Sequence, residues 1–122
     1  MSDDFIRVMH ALFLPAAESC HESPWCPAAD VSRNRHGWLI KFELAGVRPE
    51  DMKLTVSGQR LTLRGSRRDC TALPGARYYQ IEIAYSHFER SLELPCDLER
   101  ADITTDYRDG MLLVHISDGG AS

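Results

Sequence analysis

Trp38-Leu39-Ile40-Lys41-Phe42-Glu43-Leu44, the turn Ala45-Gly46-Val47-Arg48-Pro49-Glu50-Asp51, and Met52-Lys53-Leu54-Thr55-Val56-Ser57 together decide the fold. Trp38, Ile40, Phe42 and Leu44 share one parity, while Leu39, Lys41 and Glu43 take the other. Met52, Leu54 and Val56 repeat the pattern, and Leu61 and Leu63 resume it after a turn at Gly58. A period of two places one face of each strand in a core and leaves the other in water, the pattern of an antiparallel sheet packed on a second layer. The stretch holds no catalytic constellation and reads as a platform that binds other chains through its edges.

Working outward, the spacing predicts short strands over 30–34, 38–44, 52–57, 61–68, 78–83, 88–94, 101–107 and 111–116, with Asp109-Gly110 as a hairpin turn. About eight short strands with regular turn signals define an all-β, immunoglobulin-like antiparallel sandwich. The strand Tyr78–Ile83 stands apart from the others. The loop 69–76, with Leu73-Pro74-Gly75, precedes it and the turn 84–87 follows, so it lacks an evident partner in its own sheet. An exposed strand with unpaired backbone favours pairing with another chain, which predicts a dimer.

The N-terminal residues follow a different rule. Phe5, Ile6, Val8, Met9, Leu12 and Phe13 recur at spacings of three and four, Ser2 or Asp3 can cap the first turn, and Pro15 ends the segment. A helix of about twelve residues is marginal alone in water, so its apolar stripe must dock on its own domain, another subunit or a foreign surface. Residues 16–29 form a linker with Pro24 and Pro27, and Trp25 is its one large apolar anchor. The expected organisation is a partly helical N-terminal arm over 1–24, a domain over 25–116 and a short tail over 117–122.

Composition narrows the function. The chain of 122 residues is long enough for one domain, and 43% hydrophobic with 26% charged residues falls in the globular range. Its net charge of −4, from 14 basic and 18 acidic residues, argues against nucleic acid as the main partner. Arg60, Arg64, Arg67 and Arg68 do gather, but a solvated strand face accounts for them. No apolar run reaches the roughly 18–20 residues that span a bilayer, and the acidic Met1-Ser2-Asp3-Asp4 start is unlike a secretory signal, so a cytoplasmic location is expected.

Cys20, Cys26, Cys70 and Cys96 form no Cys-x-x-Cys pair, and reduced thiols are expected, with Cys20 and Cys26 the most open to oxidation between subunits. Cys20, His21 and Cys26 fall short of the four closely spaced ligands of a structural zinc site, so neither metal nor cofactor is expected. Asp102, Asp106 and Asp109 fall on an outward strand face and a turn. His10, His21, His36, His87 and His115 show no spacing to a carboxylate or nucleophile, so no enzyme is expected.

Five pieces in register carry a family resemblance. They are Pro27-Ala28-Ala29-Asp30-Val31; Phe42-Glu43-Leu44-Ala45-Gly46-Val47-x-Pro49-Glu50-Asp51; Leu61-x-Leu63-Arg64-Gly65; Phe88-Glu89-Arg90-Ser91-x-x-Leu94-Pro95; and Ala101-x-Ile103-x-x-x-Tyr107-x-Asp109-Gly110-Met111-Leu112-x-Val114. Over residues 25–116 the chain resembles the small heat-shock proteins, built on the α-crystallin domain. The resemblance implies an ATP-independent holdase that binds partly unfolded clients through apolar surface, here Phe5, Ile6, Val8, Met9, Leu12, Phe13 and Leu14. It also implies a dimer of the bacterial and plant-like type, in which Tyr78, Tyr79, Ile81 and Ile83 of one chain meet Asp30 and Val31 of the other. Arg90, matching the arginine of the family's Phe-x-Arg motif, would then lie near that interface, and once buried it needs a carboxylate or carbonyl.

Two departures accompany the likeness. The family's Ile-x-Ile/Val tail motif is expected beyond the last strand, and residues 117–122 hold none, while Val114-His115-Ile116 belongs to the strand itself. An edge groove with Met52, Leu54, Val56 and Ile103 would then take either Ile6-Arg7-Val8 as an added strand or the tail of another small heat-shock protein in a mixed assembly. Ser86 stands where many relatives have glycine, so a positive φ there would cost about 1 kcal/mol and blunt the bend of the loop. Alternatives from other classes are an adaptor or co-chaperone module on the same sandwich, predicted to be monomeric, and a membrane-surface binder acting through Phe5–Leu14, whose single arginine suits anionic lipid poorly.

Overall fold

In the computed structural model, which describes residues 25–117, the period-two segments form seven strands. These are β1 (Ala29–Asn34), β2 (Gly37–Glu43), β3 (Met52–Ser57), β4 (Arg60–Ser66), β5 (His87–Glu93), β6 (Asp102–Arg108) and β7 (Met111–Ser117). A single 3₁₀ turn, Pro49–Asp51, leads into β3, and proline at its first position suits the fixed φ of a helical start. The helix expected over residues 3–14 lies outside the described residues.

Two antiparallel sheets face each other, one ordered β1-β2-β7-β6 and the other β3-β4-β5. Register follows the sequence parity. Ile40 pairs with Val114 and Phe42 with Leu112 in the first sheet. In the second, Leu54 pairs with Leu63 and Val56 with Leu61, and Leu61 in turn lies opposite Leu92. Trp38, Ile40, Phe42, Leu44, Leu61, Leu63, Phe88, Leu92, Val114 and Ile116 meet in one core, each burial contributing roughly 1.5–3 kcal/mol.

The outward face of β4 and β5 is a row of cross-strand polar pairs. Arg60 donates to Glu93 at 3.0 Å and Arg64 to Glu89 at 2.7 Å. Between these long pairs the Thr62 and Ser91 hydroxyls lie 3.1 Å apart and are buried. The solvated-face reading of Arg60 and Arg64 therefore holds, with each arginine directly opposite a carboxylate.

Turn chemistry matches the strand ends. Asp109 (φ 53) and Gly110 (φ 75) both take positive φ, the geometry of a two-residue hairpin turn between β6 and β7. Asp109 is also the one non-glycine residue with positive φ among the described residues, so the strain expected of Ser86 does not arise. Gly65 is required for space, because a Cβ there would meet Phe88 Cζ at 2.7 Å and the Asp51 carbonyl even closer.

The eighth expected strand is absent. Residues 78–83 form no strand in this chain, because no edge of their own sandwich pairs with them. They belong to the long loop 67–86 between β4 and β5, whose mouth is closed by the Arg67 N–H donating to Ser86 O at 2.9 Å. Strand β4 accordingly ends at Ser66, short of the expected Arg68, as the next two arginines turn to other partners.

Candidate functional site: the exposed loop and the open edges

The loop carries the most exposed apolar side chains of the described residues. Tyr79 is 94% and Ile81 72% exposed, and Leu73, Tyr78, Ile83 and Tyr85 are exposed as well. Tyr79, Ile81, Ile83 and Tyr85 alternate with Gln80, Glu82 and Ala84, an amphipathic strand pattern without a strand to pair with. A patch of this kind on a soluble domain marks an interaction surface.

The root of the loop is pinned where it leaves the sandwich. Arg67 lies with its guanidinium carbon 3.7 Å from the centroid of the Trp25 ring. The same side chain donates from Nε to Ala84 O at 2.8 Å and from Nη1 to Ala45 O at 3.3 Å. One arginine thus joins the segment before β1, the turn after β2 and the returning end of the loop. Its neighbour Arg68 makes a bidentate pair with Asp51, with Nη2 2.7 Å from Oδ2 and Nε 3.0 Å from the same oxygen. The hydrogen bond and charge of Asp51 raise the Arg68 pKa above its ordinary value.

Trp25 anchors the linker as expected, packing edge-on against Phe88 with ring centroids 5.1 Å apart. Beside it Arg90 is buried, 8% exposed, and points inward from β5. Its Nη1 donates to Pro27 O at 2.7 Å, so the carbonyl alternative is the one realised. No carboxylate of the described residues pairs with it, and its Nε has no hydrogen-bond partner. Desolvation lowers the Arg90 pKa, because burial penalises the charged form.

These contacts hold β5 beside the segment entering β1, while β3 and β6 lie at the ends of their own sheets. Both are edge strands. Met52, Leu54, Val56 and Ile103 are half-buried and pack on the core from these edges, as does Tyr107. The Tyr107 hydroxyl lies 2.8 Å from Leu44 O and 2.6 Å from Val47 O, tying β6 to the turn that leads into β3. Asp30 and Val31 lie on β1, the edge strand at the far side, and Asp30 is exposed while Val31 is half-buried. The structure keeps these two residues and Tyr78–Ile83 as separate surfaces of one chain. Phe5, Ile6, Val8, Met9, Leu12, Phe13 and Leu14 lie outside the described residues.

One expectation is overturned. Cys26 is disulfide-bonded and is not a reduced thiol. Cys70 and Cys96 are not in disulfides. An oxidised sulfur is no zinc ligand, and among the described residues no three His, Cys, Asp or Glu side chains gather to hold a metal. No helix of the described residues is long and apolar enough to cross a membrane.

An antiparallel sandwich with a long, apolar loop between β4 and β5 and open edge strands defines an α-crystallin type of domain. Residues 30–120 match the Hsp20/alpha crystallin family, and the chain belongs to it. Among its relatives is small heat shock protein C4 of Rickettsia felis, 28% identical over 90 residues that cover 74% of this chain and 55% of that protein. Small heat shock protein C2 of the same organism is 25% identical over 114 residues, covering 93% of this chain and 72% of the relative. The chain therefore spans little more than half the length of the first of these. Among solved structures, hspA of Xanthomonas axonopodis superposes with a TM-score of 0.67 at 26% identity, covering 82% of this chain and all of that one (100%). Heat shock protein 16.0 of Schizosaccharomyces pombe gives a TM-score of 0.71 at 22% identity, covering 80% of this chain and 91% of that one, a likeness of fold.

Sequence reasoning missed the Arg67 contacts, the Arg68–Asp51 pair and the Tyr107 hydroxyl bonds. The basic cluster was visible, but its arginines divide between two sheet-face pairs and two pins of the loop, a division no local pattern marks.

Proposed function

We propose that the chain is an ATP-independent holdase that captures partly unfolded proteins and keeps them from aggregating. The observation that carries this reading is the loop bearing Tyr78, Tyr79, Ile81, Ile83 and Tyr85, exposed and without a strand partner among the described residues. In solution that loop pairs with β1 of a second copy, Tyr78–Ile83 against Asp30–Asn34, and each apolar side chain so buried contributes roughly 1.5–3 kcal/mol. Self-assembly also fits the solved small heat-shock protein of Xylella fastidiosa, 24% identical, which is described as having a distinct high order structure. Clients are held by several weak apolar contacts, from Phe5, Ile6, Val8, Met9, Leu12, Phe13 and Leu14 and from the groove of Met52, Leu54, Val56 and Ile103. No nucleotide or metal takes part.

The half-buried edges β3 and β6 favour one second reading, a subunit of a mixed assembly in which another small heat-shock protein supplies a strand to the groove. Light scattering of a heat-labile client without nucleotide tests the proposal, using the full chain and the chain lacking residues 1–24. Suppression by the full chain, lost on truncation, is the expected result. No suppression at any ratio of chain to client, alone or mixed with a second small heat-shock protein, would contradict it and favour an adaptor role.

A further inference from the structure

Strand β1 has two faces of opposite charge. Arg33 lies opposite Trp38 in the β1–β2 register and holds its guanidinium carbon 4.9 Å from the centroid of that buried ring, so it shares the inward face with Ala29 and Val31. Asp30 and Ser32 lie opposite Lys41 and Leu39, which alternate with the core residues Ile40 and Phe42, so both point outward. The loop is likewise two-sided. Arg77, Tyr79, Ile81 and Ile83 take one parity, and Tyr78, Gln80 and Glu82 the other. When the loop extends beside β1, one of these sets turns inward and the other outward, and the charges of the two faces decide which. Glu82 turned inward stands on the side of Arg33 and sends Arg77 outward to the side of Asp30. The opposite choice sets Glu82 with Asp30 and Arg77 with Arg33, like charges on both faces.

We propose that the loop of a second copy lies on β1 with its apolar side outward, seated on Leu39, and with Glu82 turned inward beside Arg33. This rests on the pairing of loop and β1 stated above and adds the face that each side chain takes. It holds for either strand direction, because facing depends on parity alone. Leu39 is half-buried on the outward face and lies just beyond Ser32, a side chain small enough to be overhung. Neighbouring strands run about 4.8 Å apart, so a tyrosine on the added strand reaches across Ser32 to Leu39. Leu113 continues the apolar surface, lying opposite Lys41, one diagonal step from Leu39, and half-buried as well. In this arrangement Tyr79 and Ile81 cover the outside of the partner's sheet and do not enter its core. A two-fold axis makes each contact twice.

The test measures the dimer dissociation constant by sedimentation equilibrium for the full chain, Glu82→Lys, Glu82→Lys with Arg33→Glu, and Leu39→Ser. Glu82 is exposed in the loop and Leu39 lies outside the core, so neither change disturbs the packing of the sandwich. Glu82→Lys should weaken the dimer about tenfold, because like charges then meet at both copies of the contact, and the added Arg33→Glu should restore it. Leu39→Ser should weaken it about tenfold or more. With Glu82 outward beside Asp30 the sign reverses, and Glu82→Lys tightens the dimer. A dimer that tightens or is unchanged in Glu82→Lys overturns the proposal, as does a double variant as weak as the single one or a dimer indifferent to Leu39→Ser, and each leaves the pairing of loop and β1 in place. A wild type that stays monomeric overturns that pairing and this proposal with it.

Discussion

Arg67 and Trp25 stack face to cation, with the guanidinium carbon 3.7 Å from the ring centroid, and this contact fastens the segment entering β1 to the root of the exposed loop. The loop tip is apolar and unpaired while its base is held by side-chain contacts. A surface built to meet another chain needs that combination, because a fixed base limits the entropy lost when the tip orders on binding.

Removing this contact has a measurable effect. Arg67→Ala loses the stacking and the bond to Ala84 O, and the midpoint of urea unfolding should fall by an amount worth about 1–2 kcal/mol. Trp25 fluorescence should shift to the red, and proteolysis between residues 77 and 85 should quicken. An unchanged cleavage rate would mean that the loop is held by other contacts.

Gly65 lies opposite Phe88 in the β4–β5 register. Its Cα side faces Phe88 Cζ, so Gly65→Ala forces the ring or the Asp51 carbonyl to move. A loss of about 1–3 kcal/mol is expected from denaturant unfolding, with the larger Gly65→Val worse still.

The Thr62–Ser91 pair separates lost bonding from lost burial. Thr62→Val leaves the Ser91 hydroxyl buried without its partner and should cost about 1–3 kcal/mol, whereas the double change Thr62→Val with Ser91→Ala should be close to neutral. A double variant as damaged as the single one would contradict this assignment. The exposed Arg64–Glu89 pair, by contrast, should yield at most about 1 kcal/mol in a double-mutant cycle.

Tyr107 supplies a pH dependence. Burial raises the pKa of its phenol above the ordinary value of 10.0. A group whose folded pKa is raised contributes stability that is complete below the unfolded pKa and is lost as pH climbs through the folded one. Wild-type stability should therefore fall above about pH 10, and Tyr107→Phe should weaken that alkaline decline. At neutral pH the same variant should lose about 1 kcal/mol or somewhat more, since Val47 O gives up its tyrosine partner.

Much of this was legible in the sequence because one rule, alternation at period two, governs every half-buried strand. Trp38–Leu44, Met52–Ser57 and Phe88–Leu94 show it cleanly, and Asp109-Gly110 announced its turn. The strand pattern of Tyr78–Ile83 was equally visible, but pattern states only what a segment can pair as. Pairing needs a second edge within reach, and among the described residues no strand of the sandwich pairs with it. What pins the loop was not legible, because Arg67 reaches Trp25, Ala45 and Ala84, which only the folded sandwich brings together. The Cys26 disulfide was missed for a related reason. Sparse cysteines without tight spacing resemble reduced thiols, and only their placement in space says which two meet.

The central claim is that the loop exists to be completed by another chain. Sedimentation velocity of the full chain and of its Ile81→Asp, Ile83→Asp double variant tests this most directly. The account predicts a dimer or larger species for the wild type and a folded monomer for the variant, because two carboxylates cannot enter the apolar pairing surface without a large desolvation cost. A wild type that sediments as a monomer at every concentration, or a variant whose mass is unchanged, would contradict it.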